Sequence, residues 1–243
     1  MIIQKFGGIA MQDKEIRSKC ISHIKDGLDE FGTVVIVVSA IGRFGDPYAT
    51  DTLLQITDAF SSSTAASDLA ASCGELIAAA VLSAELAEEG VPNAVLHGVQ
   101  SGIKTAGEFG DGTISHIDPS SILKKLEQTN CIIIPGFQGI NADGQVLTLG
   151  RGGSDLTAVA LAGALKASHV EFFKDVPGVM SDDPRKVADP QKLDFLKLED
   201  FLPLLDCERP IIQKRAALHA IKTATPLYIR GVASTETGTW IKP

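Results

Sequence analysis

A glycine-rich loop at residues 149–155 combines the residue types that a carboxylate or phosphate site needs. It follows a short apolar segment and precedes a run of small and apolar residues, for which we predict a helix over residues 156–167. Glycines let the backbone approach a ligand, and the N–H groups at a helix start attract anions. Arg151 adds a planar guanidinium suited to a carboxylate or phosphate, and Asp155 adds a carboxylate near where a cation or transferring phosphate would lie. We expect Ser154 or Asp155 to cap the helix.

A second pattern near the N-terminus also suits phosphate. Lys5 lies on a predicted strand, and Gly7 and Gly8 follow it. A lysine there can reach phosphate oxygens while backbone N–H groups hold others. The glycine spacing differs from that of a Walker A loop. Taken alone, the pattern is more typical of a solvated lysine before an ordinary turn.

Three other segments carry polar residues that are candidates for ligand contact. Ser39 and Ala40 begin a loop rich in hydroxyl groups, and Thr50 near its end either serves a site or caps a helix. Glu75 lies in an alanine-rich helix, where its carboxylate either meets a ligand ammonium group or faces solvent. Asp175 follows a strand, either at a nucleotide or in a surface turn.

The composition is that of an ordinary globular α/β protein, with 44% hydrophobic and 21% charged residues among 243. The net charge of −8 and the absence of a basic run disfavour nucleic acid as the main partner. The four cysteines are widely spaced, which favours free thiols over a disulfide or metal framework. We find no signal sequence and no apolar run that approaches membrane-spanning length, so we expect a soluble cytoplasmic protein without a membrane partner.

Predicted strands and helices alternate along the chain, which indicates a mostly parallel sheet with helices on both faces. We expect strands at residues 2–6, 33–38, 94–97, 131–134, 169–173, 226–229 and 238–241. We expect helices at residues 13–31, 50–60, 65–89, 119–128, 156–167, 198–205 and 211–223. Irregular turns or a hairpin should occupy residues 98–112. No repeat or linker divides the chain, so we predict one domain over residues 1–243, with glycine-bearing loops at the carboxyl edge of the sheet.

In their order along the chain, these motifs resemble those of the amino acid kinase superfamily, and most closely the aspartokinase catalytic domain. The resemblance runs from residue 2 to about residue 241 and rests on the segments 5–8, 37–40, 45–54, 72–75, 136–139, 150–155 and 175–185. It implies a three-layer α/β/α sandwich with a central mostly parallel sheet. It also implies a substrate-binding N-terminal part and a nucleotide-binding C-terminal part, and we expect the usual ACT regulatory domains to be absent.

The activity that the resemblance implies is ATP-dependent phosphorylation of the side-chain carboxylate of L-aspartate. The product would be 4-phospho-L-aspartate, at the first step of lysine, threonine and methionine biosynthesis. ATP and Mg²⁺ are the implied cofactors, and we assign no side chain as a metal ligand. A small amino acid and ATP are the expected partners, and homodimer formation stays open.

The resemblance also implies roles for individual residues. Lys5 would neutralise charge on the transferring phosphoryl group, and Asp155 would orient Lys5. Glu75 would pair with the substrate ammonium group and Arg151 with a substrate carboxylate. The full predicted set of substrate-binding residues is Ser39, Ala40, Thr50, Glu75, Phe137, Arg151 and Ser154. The predicted nucleotide-binding residues are Gly7, Gly8, Lys174, Asp175, Arg185 and Arg209.

The sequence departs from the usual aspartokinase pattern at a few positions. Ile9 and Ala10 replace a Thr-Ser pair, and Lys174 replaces a threonine. Pro210 replaces a phosphate-binding lysine, for which we expect Arg209 or Lys214 to compensate. Two alternatives therefore stay open. One is a kinase of the same fold that acts on another small amino acid or acid, and the other is a catalytically impaired paralogue that binds nucleotide or amino acid.

Overall fold

Runs of valine and isoleucine form the centre of the fold. The computed structural model describes residues 1–58, 64–182, 187 and 190–243. The strands are β1 (Ile2–Phe6), β2 (Val34–Val38), β3 (Ala94–Val95), β4 (Ile103–Glu108), β5 (Asp111–Ile117), β6 (Cys131–Pro135), β7 (Gln138–Ile140), β8 (Val146–Thr148), β9 (Val170–Lys174), β10 (Phe195–Lys197), β11 (Leu227–Gly231) and β12 (Thr239–Lys242). The helices are α1 (Lys14–Phe31), α2 (Thr50–Gln55), α3 (Thr64–Glu88), α4 (Ser120–Leu126), α5 (Gly153–Leu165), α6 (Leu198–Phe201) and α7 (Lys214–Thr223).

Eight strands make the main sheet, in the order β10-β12-β11-β9-β1-β2-β6-β3. All neighbouring pairs are parallel except β11 and β12, so the predicted mostly parallel sheet is confirmed. Every residue of β1, β2 and β6 is buried. Strands covered on both faces need apolar residues throughout, which explains the uninterrupted Val-Val-Ile-Val-Val of β2.

Helices cover both faces of this sheet and complete three layers. On one face, α5 packs against β1, β2 and α7, around a core that includes Ile3, Val35 and Phe172. On the other face, α1 packs against β1 and β2, and α3 packs against β2 and β6, around a core that includes Phe6 and Ile36. The predicted α/β class and its layering are therefore confirmed.

Helix α3 corrects one expectation from the sequence. Thr64–Glu88 is long and apolar enough to cross a membrane by length and composition alone, so the statement that no apolar run approaches that length is wrong. Core helices pass the same test, and Ala78, Ala79, Leu82 and Leu86 are fully buried against the sheet.

A smaller sheet in the order β5-β4-β7-β8 lies beside the main one. Strands β4 and β5 form an antiparallel hairpin, which was one of the two expectations for residues 98–112. The sequence did not indicate β7 or β10. Each has only three residues, too few to show a period-two pattern.

The start of α5 differs from the prediction. Gly152, in the left-handed conformation with φ 71°, precedes the helix, and no side chain caps it. The expected cap by Ser154 or Asp155 is wrong, because both residues lie inside the first turn. Their side chains therefore remain free for other contacts.

Candidate active site

Two lysines and one aspartate form a buried charged cluster at the carboxyl edge of the main sheet. Lys5 near the end of β1 and Lys174 at the end of β9 project from neighbouring parallel strands. Asp155 in the first turn of α5 places Oδ1 2.7 Å from the Nζ of Lys5 and Oδ2 3.7 Å from the Nζ of Lys174. Lys5 and Asp155 are each 5% exposed. The structure thus brings together three residues that lie far apart in the chain.

The charge state of this cluster follows from burial and pairing. Burial opposes ionisation of Asp155, but the ammonium groups of Lys174 and Lys5 outweigh it and lower the pKa of the carboxyl group. The backbone N–H of Gln213 also donates to Oδ2 of Asp155 at 3.4 Å. Burial lowers the pKa of Lys174 to about 8, against the opposing effect of Asp155. One carboxylate therefore holds two cations where several strands end.

Gly7 and Gly8 follow β1 directly beside these cations. A Cβ on Gly8 would lie 2.4 Å from the carbonyl oxygen of Gly42 and 2.9 Å from that of Ala40. A Cβ on Gly7 would lie 3.5 Å from the Nζ of Lys5. Close packing, rather than an unusual φ angle, accounts for the glycine at position 8.

A cavity of about 780 Å³ opens beside the two glycines. Five of the predicted nucleotide-binding residues line it, namely Gly7, Gly8, Lys174, Asp175 and Arg209. The sixth, Arg185, lies outside the described residues. Four positions at which the sequence departs from the aspartokinase pattern also line the cavity, namely Ile9, Ala10, Lys174 and Pro210.

Glu75, on α3, is a second buried ionisable residue near the charged cluster. It is 2% exposed, so the solvent-facing alternative is wrong. Oε1 accepts a hydrogen bond from the backbone N–H of Ala40 at 3.1 Å, and Oε2 has no hydrogen-bond partner within the part of the chain that is described. Burial raises the pKa of Glu75 to about 8, although the Ala40 N–H, Lys5 and the Thr50 hydroxyl favour its ionised form. A buried carboxyl with one free oxygen is suited to a cationic group of a ligand.

The segments around Glu75 connect it to the charged cluster. Ser39 donates its backbone N–H to the carbonyl of Phe6 at 3.0 Å, so the loop after β2 lies against the end of β1. Thr50 is the first residue of α2, whose N-terminal cap is Ala49 and has no side-chain hydrogen bond. The alternative interpretation of Thr50, as the N-terminal cap of a helix, is therefore wrong.

The loop before α5 places the remaining predicted residues. Ser154 is buried against Gly136, at which a Cβ would lie 2.7 Å from the Cβ of Ser154. Phe137 has a positive φ of 71°, and its N–H donates to Oγ1 of Thr157 at 3.2 Å. Arg151 is exposed, and no described residue forms an ion pair or hydrogen bond with it. A positive φ in a phenylalanine is strained, which is common at binding sites.

Sequence reasoning missed Arg215, in the first turn of α7. Its guanidinium donates to the carbonyl of Leu149, the carbonyl of Gly112 and Oδ1 of Asp111, each at 2.9 Å. These bonds tie the loop that carries Arg151 to the β4–β5 hairpin. No local pattern could have shown this, since the partners lie 66 to 104 residues away.

Sequence reasoning also missed Arg43, which lines the cavity and contacts Asp175. Lys214, the other cation near Pro210, pairs with Asp206 at 2.5 Å. Neither Lys214 nor Asp206 is among the described residues that line the cavity. Among the described residues, Arg43 and Arg209 are the exposed cations on that lining.

The fold and the charged edge of the sheet define the class to which the chain belongs. Residues 1–229 match the model of the amino acid kinase family, and the chain is a member of that family. It is 37% identical to Aspartokinase 1 of Bacillus subtilis over 99% of this chain and 60% of that protein. It is 32% identical to an aspartokinase of Thermus thermophilus over 100% of this chain and 59% of that protein. The chain thus spans about three fifths of the length of these curated relatives.

Solved structures agree with the family assignment. Aspartate kinase from Synechocystis superposes with a TM-score of 0.83 at 32% identity, over 100% of this chain and 40% of that one. Aspartokinase III of E. coli in complex with aspartate and ADP gives a TM-score of 0.83 at 22% identity, over 100% of this chain and 64% of that one. The second comparison supports the fold alone.

Proposed function

We propose that this chain transfers the γ-phosphoryl group of ATP to the side-chain carboxylate of L-aspartate. The observation that carries the proposal is the buried cluster of Lys5, Asp155 and Lys174 beside the cavity. Buried, prepositioned cations at a glycine-lined cavity are what phosphoryl transfer requires, since it depends on positioning and charge stabilisation. Similarity to aspartokinases along the whole chain supports aspartate as the acceptor.

In the proposal, the amino-acid side of the site is formed by the predicted substrate-binding residues. Glu75 binds the ammonium group and Arg151 binds a carboxylate of the substrate, each through a group that has no partner among the described residues. Five further residues shape this pocket in the proposal, namely Ser39, Ala40, Thr50, Phe137 and Ser154. The carboxyl group of Glu75 and the guanidinium of Arg151 together select a zwitterionic amino acid with an additional acidic group.

The nucleotide side is the cavity beside Gly7 and Gly8. Backbone N–H groups of the two glycines and the cations of Lys174 and Arg209 hold the phosphates in the proposal, with Asp175 and Arg185 at the nucleotide. The cavity volume of about 780 Å³ and its charged lining fit a nucleotide.

The residues present also fit Mg²⁺ that is carried by ATP. No group of three or more His, Cys, Asp or Glu side chains suited to a metal occurs among the described residues. Mg²⁺ is commonly held by substrate phosphates and one or two carboxylates, and Asp175 and Asp182 line the cavity. When bound, the ion would supply positive charge at the phosphates.

The reaction forms one bond and breaks one bond. A carboxylate oxygen of aspartate bonds to the γ-phosphorus of ATP, and the bond from that phosphorus to the β,γ-bridging oxygen breaks, which leaves 4-phospho-L-aspartate and ADP. The acceptor is already ionised at neutral pH, so no general base is needed. Lys5 stabilises charge on the transferring group, and Asp155 holds Lys5 in place.

A second acceptor class has its own supporting observation. Ile9 and Ala10, which replace two hydroxyl residues of the aspartokinase pattern, line the cavity. Two hydroxyl groups are therefore missing next to the glycine turn at which the phosphoryl group would be transferred, and this loss favours a kinase for another small amino acid or acid.

Hydroxylamine trapping of the acyl phosphate tests the proposal and this alternative together. The intact chain is incubated with ATP, Mg²⁺, hydroxylamine and each of a panel of acidic amino acids. We expect hydroxamate with aspartate above all others, lost in Lys5→Ala and kept in Lys25→Ala, whose lysine pairs with Glu89 at the surface. A clearly better acceptor than aspartate, or equal signals from wild type and Lys5→Ala, would reject the proposal.

A further inference from the structure

The loop between β2 and α2 holds Arg43 on a fixed backbone at the edge of the cavity. Gly42 donates its N–H to the carbonyl of Gly8 at 3.0 Å, and the N–H of Arg43 donates to Oδ2 of Asp46 at 2.8 Å. The N–H of Asp46 donates back to the carbonyl of Arg43 at 2.9 Å. The backbone of Arg43 is therefore tied to the same glycine turn that the proposed function places at the phosphates.

The side chain of Arg43, unlike its backbone, is held weakly. It is 66% exposed and contacts Asp175, itself 57% exposed, through one Nη2–Oδ2 approach of 3.3 Å. A single long contact between exposed charges contributes little to stability. The guanidinium can therefore leave Asp175 for a stronger anion at small cost.

The other cations around the cavity do not supply all the positive charge that a bound polyphosphate needs. Lys5 and Lys174 share the single carboxylate of Asp155, so part of their positive charge is already balanced. Lys214 is paired with Asp206, and Pro210 on the cavity wall carries no charge. A di- or triphosphate carries several negative charges, and Arg209 is the other exposed cation on the described lining, so Arg43 adds positive charge that the phosphates require.

We propose that Arg43 binds the polyphosphate of the nucleotide and exchanges Asp175 for phosphate oxygens when the nucleotide enters. The inference rests on the proposed function, because it assumes a nucleotide in this cavity. Arginine suits the role, since its planar guanidinium can donate two parallel hydrogen bonds to a phosphate. The fixed loop brings the residue to the phosphates, and Asp175 is its weak partner until then.

Calorimetric titration of the intact chain with ADP and with AMP tests the role of Arg43 without any turnover. We expect Arg43→Gln to weaken ADP binding about 10- to 100-fold, the range for hydrogen bonds between charged groups. AMP binding should change by less than about threefold, because Arg43 contacts the phosphates beyond the first. Arg43→Lys should give an intermediate loss, and Lys25→Gln at a remote surface pair should have no effect.

The outcomes of these titrations distinguish the role of Arg43 from the proposed function. An unchanged ADP affinity in Arg43→Gln, or equal losses for ADP and AMP, would overturn the role of Arg43. If the wild type binds ADP and Arg43→Gln does not, while no hydroxamate forms with aspartate, the role of Arg43 stands and only the proposed acceptor fails. If the wild type binds no nucleotide, both proposals fail.

Discussion

The cations of the site fall into two regions with opposite properties. Lys5 and Lys174 are inside the protein and held by Asp155, whereas Arg43 and Arg151 are on its exposed rim and have one weak partner or none among the described residues. Buried charges that are already oriented stabilise a transition state without reorganising. Exposed side chains lose freedom when they bind, so they act mainly in recognition. The buried region should therefore control kcat and the rim should control KM.

The largest effect should come from Lys5→Ala in the buried region. Loss of one prepositioned charge should reduce kcat by about 10²- to 10³-fold, with a smaller change in the KM for ATP and the KM for aspartate. Initial rates of ADP release at saturating ATP and aspartate measure this. Circular dichroism should show a folded protein with a lower Tm, because Asp155 keeps only the longer of its two lysine contacts, the one with Lys174. A kcat within about threefold of wild type would remove Lys5 from the buried catalytic region.

Arg151→Gln tests the rim in the same assay. We expect KM for aspartate to rise about 10- to 100-fold through loss of a charged hydrogen bond, while kcat changes by less than about threefold. KM for ATP serves as the internal control and should not move. A fall in kcat with an unchanged KM for aspartate would mean that Arg151 acts as the buried residues do, and would contradict the assignment of the rim to KM.

A pH effect distinguishes Glu75 from both groups of cations. Burial raises its pKa to about 8, so in the free protein at pH 7 the carboxyl is mostly protonated. A bound ammonium group favours the carboxylate, so aspartate binding should release a proton at pH 7 and strengthen as pH rises toward 8, by up to about tenfold per pH unit. Calorimetry in buffers of different ionisation enthalpy measures the released proton.

Glu75→Gln is the control for the pH effect. It should bind aspartate weakly and without proton release between pH 6.5 and 8. Proton release of equal size in Glu75→Gln and wild type would assign the titration to another group.

The smallest effect should come from Arg215→Gln, which loosens the support of the rim. Loss of the bonds to Leu149, Gly112 and Asp111 should raise KM for aspartate about three- to tenfold, because the loop that carries Arg151 becomes less ordered. Asp111→Asn is the matched variant, since it weakens only one of the three bonds and should have a lesser effect. Equal KM values in all three proteins would show that this support does not matter for substrate binding.

The buried region could be predicted from sequence better than the rim. The valine-rich strands predict a sheet covered on both faces, and Lys5, Gly7 and Gly8 lie where their strand ends. The contact of Asp155 with Lys5 follows the role that the family resemblance implied. These features follow from local patterns and from the order of strands and loops.

Contacts on the rim depend on the folded arrangement and could not be predicted. Arg43 and Asp175 are 132 residues apart, and Arg215 and Asp111 are 104 apart. The cap of α5 was also missed, because Gly152 precedes the helix with a positive φ while two better capping residues follow it. Close approach of Gln213 explains the glycine, since a Cβ at position 152 would lie 1.7 Å from the Cγ of Gln213.

Borohydride reduction of the product tests most directly which group is phosphorylated. The intact chain is incubated with ATP, Mg²⁺ and aspartate, and the acyl phosphate is reduced to an alcohol before chromatography and mass spectrometry. Phosphorylation of the side-chain carboxylate predicts homoserine, formed by wild type and Lys25→Ala and not by Lys5→Ala. Reduction to 3-amino-4-hydroxybutyrate, which reports the α-carboxylate, or no alcohol at all while ATP binds, would contradict the account.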